Sequence, residues 1–264
     1  MPFPLRSRGN RGRYSRNSGA SSSSLSPTQI AGLQVWVRAS DITGKSDGDT
    51  IDGTTGWPGS GGTNGLLGVG SLPTYETNEI NGRPVVRLAS TAALSAVGAK
   101  ATWNFMHQGD FTFIAVLKAT AVTTTQVIFD TAQLTNTNIG MWIIIQNNGQ
   151  VSCSVVNTAQ RVIATSVDAS FTSGAFHVLV VRYDNGGTGD DLTIDVDGVS
   201  VASGETSGAL SGSDSTNFPR LGTRSGTPTS YFAGDIAEVI AYNAALSTGE
   251  ISGLVGALDS AYGL

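Results

Sequence analysis

Three groups of carboxylates in this sequence are spaced closely enough to act together, and their spacing decides which chemistry each could support. Glycosidic hydrolysis needs two carboxyl groups flanking the scissile bond, and the nearest acidic pair within one extended run is Asp235 and Glu238. Side chains alternate along a strand, so this odd spacing places the two on opposite faces of a sheet. Catalysis by the pair is therefore not expected. Asp195 and Asp197 share a face by the same rule, with Asp190 and Asp191 in the preceding loop, which assembles hard oxygen donors of the kind calcium takes. Asp197 also stands directly before Gly198, and a turn is the simpler reading. The stretch from Asp41 to Asp52 is denser in oxygen donors but lacks the terminal glutamate of an EF-hand loop. No cofactor is expected, and calcium is the one ion these groups would suit.

The other reactive types are few. His107 and His177 are the only histidines and belong to no metal-ligand spacing; His177, within a strand, reads as a satisfied sheet residue. No Gly-x-Ser-x-Gly elbow accompanies them, so a Ser-His-Asp triad is neither signalled nor excluded. Gly44-Lys45-Ser46 lacks the upstream glycines and the strand-to-helix context of a phosphate-binding loop. Cys153 is the sole cysteine and alternates in phase with Val151 and Val155, which reads as a buried, inert thiol and excludes an internal disulfide. Trp57, Trp103 and Trp142 offer flat faces for sugar rings. Trp57, in a glycine-rich loop, and Trp103 are the glycan-contact candidates, whereas Trp142, inside an apolar run, is equally well explained by core packing.

Residues 1–27 contain Arg6, Arg8, Arg11, Arg13 and Arg16 and no acid, which leaves ten basic and twenty acidic residues for the rest: +5 on the arm against −10 on the body. Few large apolar groups occur here, so the arm is expected to be disordered alone. Its tip, Met1-Pro-Phe-Pro-Leu5, is apolar, and Phe3 and Leu5 together with the five arginines form a candidate partner-binding arm. Arginine's planar donor fork suits carboxylates. An acidic protein surface is thus the expected partner, and nucleic acid is disfavoured because the acidic body repels the same polyanion. No segment approaches the ~18–20 apolar residues of a membrane helix, and the serine-rich stretch after the basic start replaces the apolar core of a secretory signal.

These groups must be positioned by strands. Period-two runs at Leu33–Val37, Arg83–Leu88, Phe111–Leu117, Gln126–Phe129, Met141–Ile145, Val151–Val156, Phe176–Tyr183, Leu192–Val196, Val199–Val201 and Tyr231–Tyr242 are β-branched or aromatic and bounded by turn residues. Leu33, Val35 and Val37 are placed on one face, and so are Ile236, Glu238 and Ile240. Asn147-Asn148-Gly149 predicts a hairpin, and Asp41 to Leu72 reads as one long loop. Ser247 and Glu250 have capping-box spacing, which predicts a helix from Thr248 to Tyr262. The fold expected is all-β: one sandwich domain over 28–264 behind the arm.

The ordered series formed by the Gly32–Asp41 run, the Phe176–Tyr183 and Leu192–Gly198 runs, and Phe232-Ala-Gly-Asp-Ile-Ala-Glu238 resembles the laminin-G-like branch of the concanavalin A-like jelly rolls over about residues 29–264. The resemblance implies two facing antiparallel sheets and a family whose members bind glycans, proteins or calcium. Its glycosidases carry a Glu-x-Asp-x-x-Glu-like run that is absent here. Relatives of this kind occur on bacterial surface proteins and phage particles, some as dimers or trimers. The function expected is a non-enzymatic accessory protein of a tailed bacteriophage virion, a capsid decoration or fibre-like component. The arm would bind other virion proteins, the capsid first among them, and the jelly roll would be exposed. The alternative is a carbohydrate-binding module for cell-surface, including host-surface, glycan. A homo-oligomer is compatible with either.

Overall fold

The computed structural model describes residues 25–53, 56–89, 91–132, 139–156, 161–186, 191–205, 215 and 217–264. The arm residues Phe3, Leu5, Arg6, Arg8, Arg11, Arg13 and Arg16 lie outside these. In chain order the strands are β1 (Leu33–Arg38), β2 (Leu66–Gly70), β3 (Thr74–Ile80), β4 (Arg83–Leu88), β5 (Ala92–Ala96), β6 (Phe111–Ala119), β7 (Gln126–Asp130) and β8 (Gly140–Ile145). They continue with β9 (Val151–Val156), β10 (Arg161–Thr165), β11 (His177–Tyr183), β12 (Leu192–Val196), β13 (Val199–Gly204), β14 (Arg220–Leu221) and β15 (Gly234–Tyr242). A short helix α1 (Phe105–Gln108) precedes β6, and α2 (Thr248–Tyr262) ends the chain.

Two antiparallel sheets form. One has the order β13-β12-β11-β6-β15-β4-β3 with β1 beside β15, and the other β10-β9-β8-β7-β14-β5-β2. Their facing sides bury one apolar cluster, which includes Val35, Leu88, Phe113, Met141, Cys153 and Leu179. Cys153 is fully buried, and desolvation pushes its thiol far up, so it is inert as expected. A second cluster lies outside the eight-stranded sheet, where Ile251, Leu254, Val255 and Leu258 of α2 cover Ile114, Val116, Val178, Val180 and Ile240. This explains why β6 and β11 read as near-continuous apolar runs and why even Asp235 and Glu238 of β15 are buried: all three strands are covered on both faces. Leu25 packs on this second cluster and Pro27 is buried, with Tyr242 donating from its hydroxyl to the Pro27 carbonyl at 3.0 Å. The body therefore starts no later than Leu25, inside the segment assigned to the arm.

Turn chemistry behaves as the sequence predicts. Asp197 and Gly198 both take positive φ (52° and 73°) in the β12–β13 hairpin, and Ser247 accepts from the Glu250 amide in a complete capping box. Two facings differ, both through β-bulges. In β1 the register shifts between Leu33 and Val35, so Val35 and Val37 enter the inter-sheet core while Leu33 joins Trp36 on the other face. In β15 an extra residue sits between Ile236 and Glu238, so Ile236, Val239 and Ala241 face inward while Ala237 and Ile240 lie under α2. The long loop expected from Asp41 to Leu72 contains β2.

Candidate functional site

The bulge in β15 also overturns the expected separation of Asp235 and Glu238. Asp235 lies opposite Lys118 and Glu238 opposite Val116, two positions of β6 that share one face, so both carboxylates project from the outer side of the eight-stranded sheet. Each is engaged separately. Asp235 accepts from Arg87 Nε at 2.6 Å and pairs with Lys118 Nζ at 2.7 Å. Glu238 accepts from Trp36 Nε1 at 2.6 Å and from the Tyr262 hydroxyl at 2.7 Å. Burial raises Glu238 above the usual carboxylate range, against the pull of those two donors. These contacts tie β1, β4, β6 and α2 to the central strand.

Asp197 Oδ2 lies 2.7 Å from His177 Nδ1, and its Oδ1 accepts from the Val178 amide at 2.8 Å. Burial pushes its carboxyl up, but the bonds from His177 and Val178 outweigh this and hold it below the usual range. His177 Nε2 lies 2.9 Å from Thr172 Oγ1, an Asp-His-Thr order reminiscent of a hydrolase relay. The Thr172 carbonyl stands 3.1 Å from the same nitrogen, and Phe171 packs on the imidazole with ring centroids 4.4 Å apart. The set latches the segment before β11 to the β12–β13 turn, and His177 is the satisfied sheet residue its context predicts. A groove of about 820 Å³ runs between this hairpin and α2, lined by Asp195, Asp197, Asp259, Arg182, Ile251 and Val255. Arg182 is committed to the Leu246 carbonyl and Asp184. In the Asp41–Asp52 loop, Asp47 accepts from the Thr77 amide and hydroxyl, and Asp49 from the Ser46 amide. Among the described residues no group of three or more His, Cys, Asp or Glu is placed to hold a metal ion.

Both tryptophans expected to touch glycan are in the core. Trp57 is fully buried, because its backbone bridges Leu66 in both directions (2.6 and 2.8 Å) and draws the indole between the sheets. Trp103 is 2% exposed; its Nε1 donates to the Val97 carbonyl at 3.1 Å, and it stacks on Phe129. Neither presents a face to solvent, so neither is a sugar platform.

Two tryptophans are half-buried: Trp36, whose Nε1 is committed to Glu238 beside α2, and Trp142, on the outer face of the other sheet. Met141, Ile143 and Ile145 of β8 point into the core, so Trp142 points away from it and keeps part of its surface in solvent. Register places it in a transverse row on the outer face of the seven-stranded sheet: Ser95, Arg220, Asp130, Trp142, Ser154 and Ile163, on six neighbouring strands. The Arg161 and Arg224 guanidinium carbons stand 5.7 and 5.8 Å from the indole centroid. Arg161 Nε donates to Ser154 Oγ at 2.8 Å, and Arg224 Nη1 donates to Asp130 at 3.1 Å. Asp130 is fully buried, and desolvation raises it to about 6 against the pull of Arg224. The seven strands contain no acid besides Asp130. Period two alone, applied to Met141-Trp142-Ile143, would have turned this indole outward; the surrounding apolar run masked that signal.

A family model for the concanavalin A-like lectin/glucanases superfamily matches residues 94–252, more than half of the chain. The chain belongs to that superfamily. Among solved structures of similar fold is domain 4 of AbnA, a GH43 extracellular arabinanase from Geobacillus stearothermophilus, in complex with arabinotriose. It is 16% identical over 85% of this chain and 98% of that one, with a TM-score of 0.58. The CBM40 of the Ruminococcus gnavus IT-sialidase, bound to α2,3-sialyllactose, is 17% identical over 65% and 94%, with a TM-score of 0.53. The binding domain of botulinum neurotoxin DC, in complex with SialylT, is 13% identical over 79% and 50%, with a TM-score of 0.57. At these identities the likeness speaks to fold. No curated protein matches the chain by sequence. Within the superfamily's two-sheet frame, this chain covers the outer face of one sheet with α2 and presents the Trp142 row on the other.

Proposed function

We propose that this domain is a non-catalytic carbohydrate-binding module that holds a glycan against the outer face of the seven-stranded sheet, with Trp142 as the stacking platform. The observation that carries the reading is Trp142 itself, an outward indole set among arginines. Pyranose rings stack their C–H faces on aromatic surfaces, and an aromatic fixed by a sheet is preorganised for it. Three structures of similar fold were solved with arabinotriose, sialyllactose or SialylT, which supports the same reading. Asp235 and Glu238, engaged with separate partners, do not favour hydrolysis. Placement on a phage particle through the arm rests on the sequence alone, and the fold comparisons favour the glycan reading over it.

Binding to a broad glycan array by the wild type, Trp142→Ala and Trp57→Ala tests this. Trp142→Ala should lose array binding while its melting temperature stays within a few degrees of wild type. Trp57→Ala should instead unfold early, at a cost of roughly 3–5 kcal/mol for emptying a large core site. Full binding by a folded Trp142→Ala variant would overturn the proposal.

A further inference from the structure

We infer that the ligand of the Trp142 face is an acidic glycan whose sugar carboxylates pair with Arg161, Arg220 and Arg224. The inference rests on the glycan-binding reading and names its substrate class. Its basis is a charge distribution that stability alone does not call for. The body of the protein is acidic, twenty carboxylates against ten basic groups, yet two of those ten stand over one indole and a third, Arg220, lies two strands away in the same transverse row. On the outer side of the eight-stranded sheet, by contrast, Arg87 and Lys118 are matched by Glu79 and Asp235.

The three arginines differ in how far they are already engaged. Arg161 is exposed, and its described partner is the neutral Ser154 hydroxyl, so no carboxylate among the described residues offsets its charge. Arg220 lies between Ser95 and Asp130 in register, and its Nε is buried without a hydrogen-bond partner. Among the described residues no ion pair is formed by either arginine. Arg224 alone has a counter-charge, in the buried Asp130. With Asp130 ionised, these four described side chains sum to a net charge of +2 around the half-buried indole. A guanidinium binds a carboxylate through two parallel hydrogen bonds in one plane. A uronic acid, which carries a carboxylate on a ring that can stack, matches both features at once; a neutral sugar would leave two cations without partners.

The test measures binding of the full chain to polygalacturonate and to fully methyl-esterified polygalacturonate, the same backbone without charge, with dextran sulfate as a second polyanion. The wild type should bind polygalacturonate at least tenfold tighter than the ester, and the preference should shrink as salt is raised. Arg161→Gln should weaken polygalacturonate binding about tenfold, the scale of one lost charge-assisted contact, and weaken binding to the ester by clearly less. Arg224→Lys, which keeps a cation beside Asp130 and so protects the fold, should also weaken it because the planar fork is gone. Equal binding to acid and ester, lost on Trp142→Ala, would overturn the acidic specificity and leave the glycan-binding face standing. Tight binding to dextran sulfate unaffected by Trp142→Ala would reduce the face to a simple ion exchanger and overturn it as well. Binding to neither polysaccharide, nor to any glycan on the array, would remove both readings.

Discussion

Asp130 shows how one buried carboxylate organises the surface above it. It is fully buried, its Oδ1 accepts from the Ala132 amide at 2.6 Å, and its Oδ2 fixes Arg224 near Trp142. Desolvation is the largest influence on it and lifts it to about 6, so the folded protein takes up a proton more readily than the unfolded chain does. For a raised carboxyl, stability from this group is fully present below the unfolded value near 4 and is lost as pH rises through about 6. Two units of displacement correspond to about 3 kcal/mol. The difference in unfolding free energy between wild type and Asp130→Asn, measured by urea denaturation, should therefore change by an amount of that order between pH 4 and pH 6. The wild type should lose ground to the variant as pH rises. A difference that stays flat over this window would show that Asp130 is not displaced. Arg224 would then be held by an ordinary, fully ionised acid.

At the scale of elements, the hairpin between β8 and β9 sets where Trp142 lies, and Gly149 sets the hairpin. Gly149 has φ +77°, and a Cβ there would stand 2.5 Å from the Phe171 carbonyl oxygen, a backbone atom that cannot swing aside. Gly174 has a similar φ of +81° with open space around it. Gly149→Ala should therefore cost clearly more than the ~1 kcal/mol expected for the positive φ alone, and Gly174→Ala about that much. Equal melting temperatures for the two would contradict the packing at Gly149. This hairpin was legible because Asn-Asn-Gly leaves a sequence signature, and so was α2 with its capping box. The bulges in β1 and β15 leave none: an extra residue is selected by pairing with distant strands, and it moved Leu33 and brought Asp235 and Glu238 to one face. Strand β2 was hidden because Leu66-Leu-Gly-Val-Gly70 reads as loop until β5 pairs with it. The tryptophans failed for a related reason. A glycine-rich context suggested exposure for Trp57, but its two hydrogen bonds to Leu66, which no local pattern announces, carried it inside.

Taken as a whole, the molecule has two outer faces with different duties. Helix α2 closes one of them, laying Leu254, Val255 and Leu258 over Val116, Val180 and Ile240, while Glu238 pins the helix end through Tyr262. Each large aliphatic side chain buried there contributes roughly 1.5–3 kcal/mol relative to exposure, so several together amount to much of a domain's ordinary net stability. The other outer face carries exposed Arg161 and Thr165 and half-buried Arg224 around Trp142, with Ser152 and Ser154 buried among them, and it is the face on which we propose that a glycan is held. The division makes the helix part of the sandwich and not an appendage. Truncation after Ala245 should accordingly expose a continuous apolar sheet face, abolish cooperative thermal unfolding, and give a chain that binds a hydrophobic dye and aggregates. Ser247→Ala, which removes only the cap, should cost about 1 kcal/mol and keep the fold. A truncated chain that stays monomeric and melts in one sharp step would mean that the second apolar cluster stabilises little. The helix would then be an appendage after all.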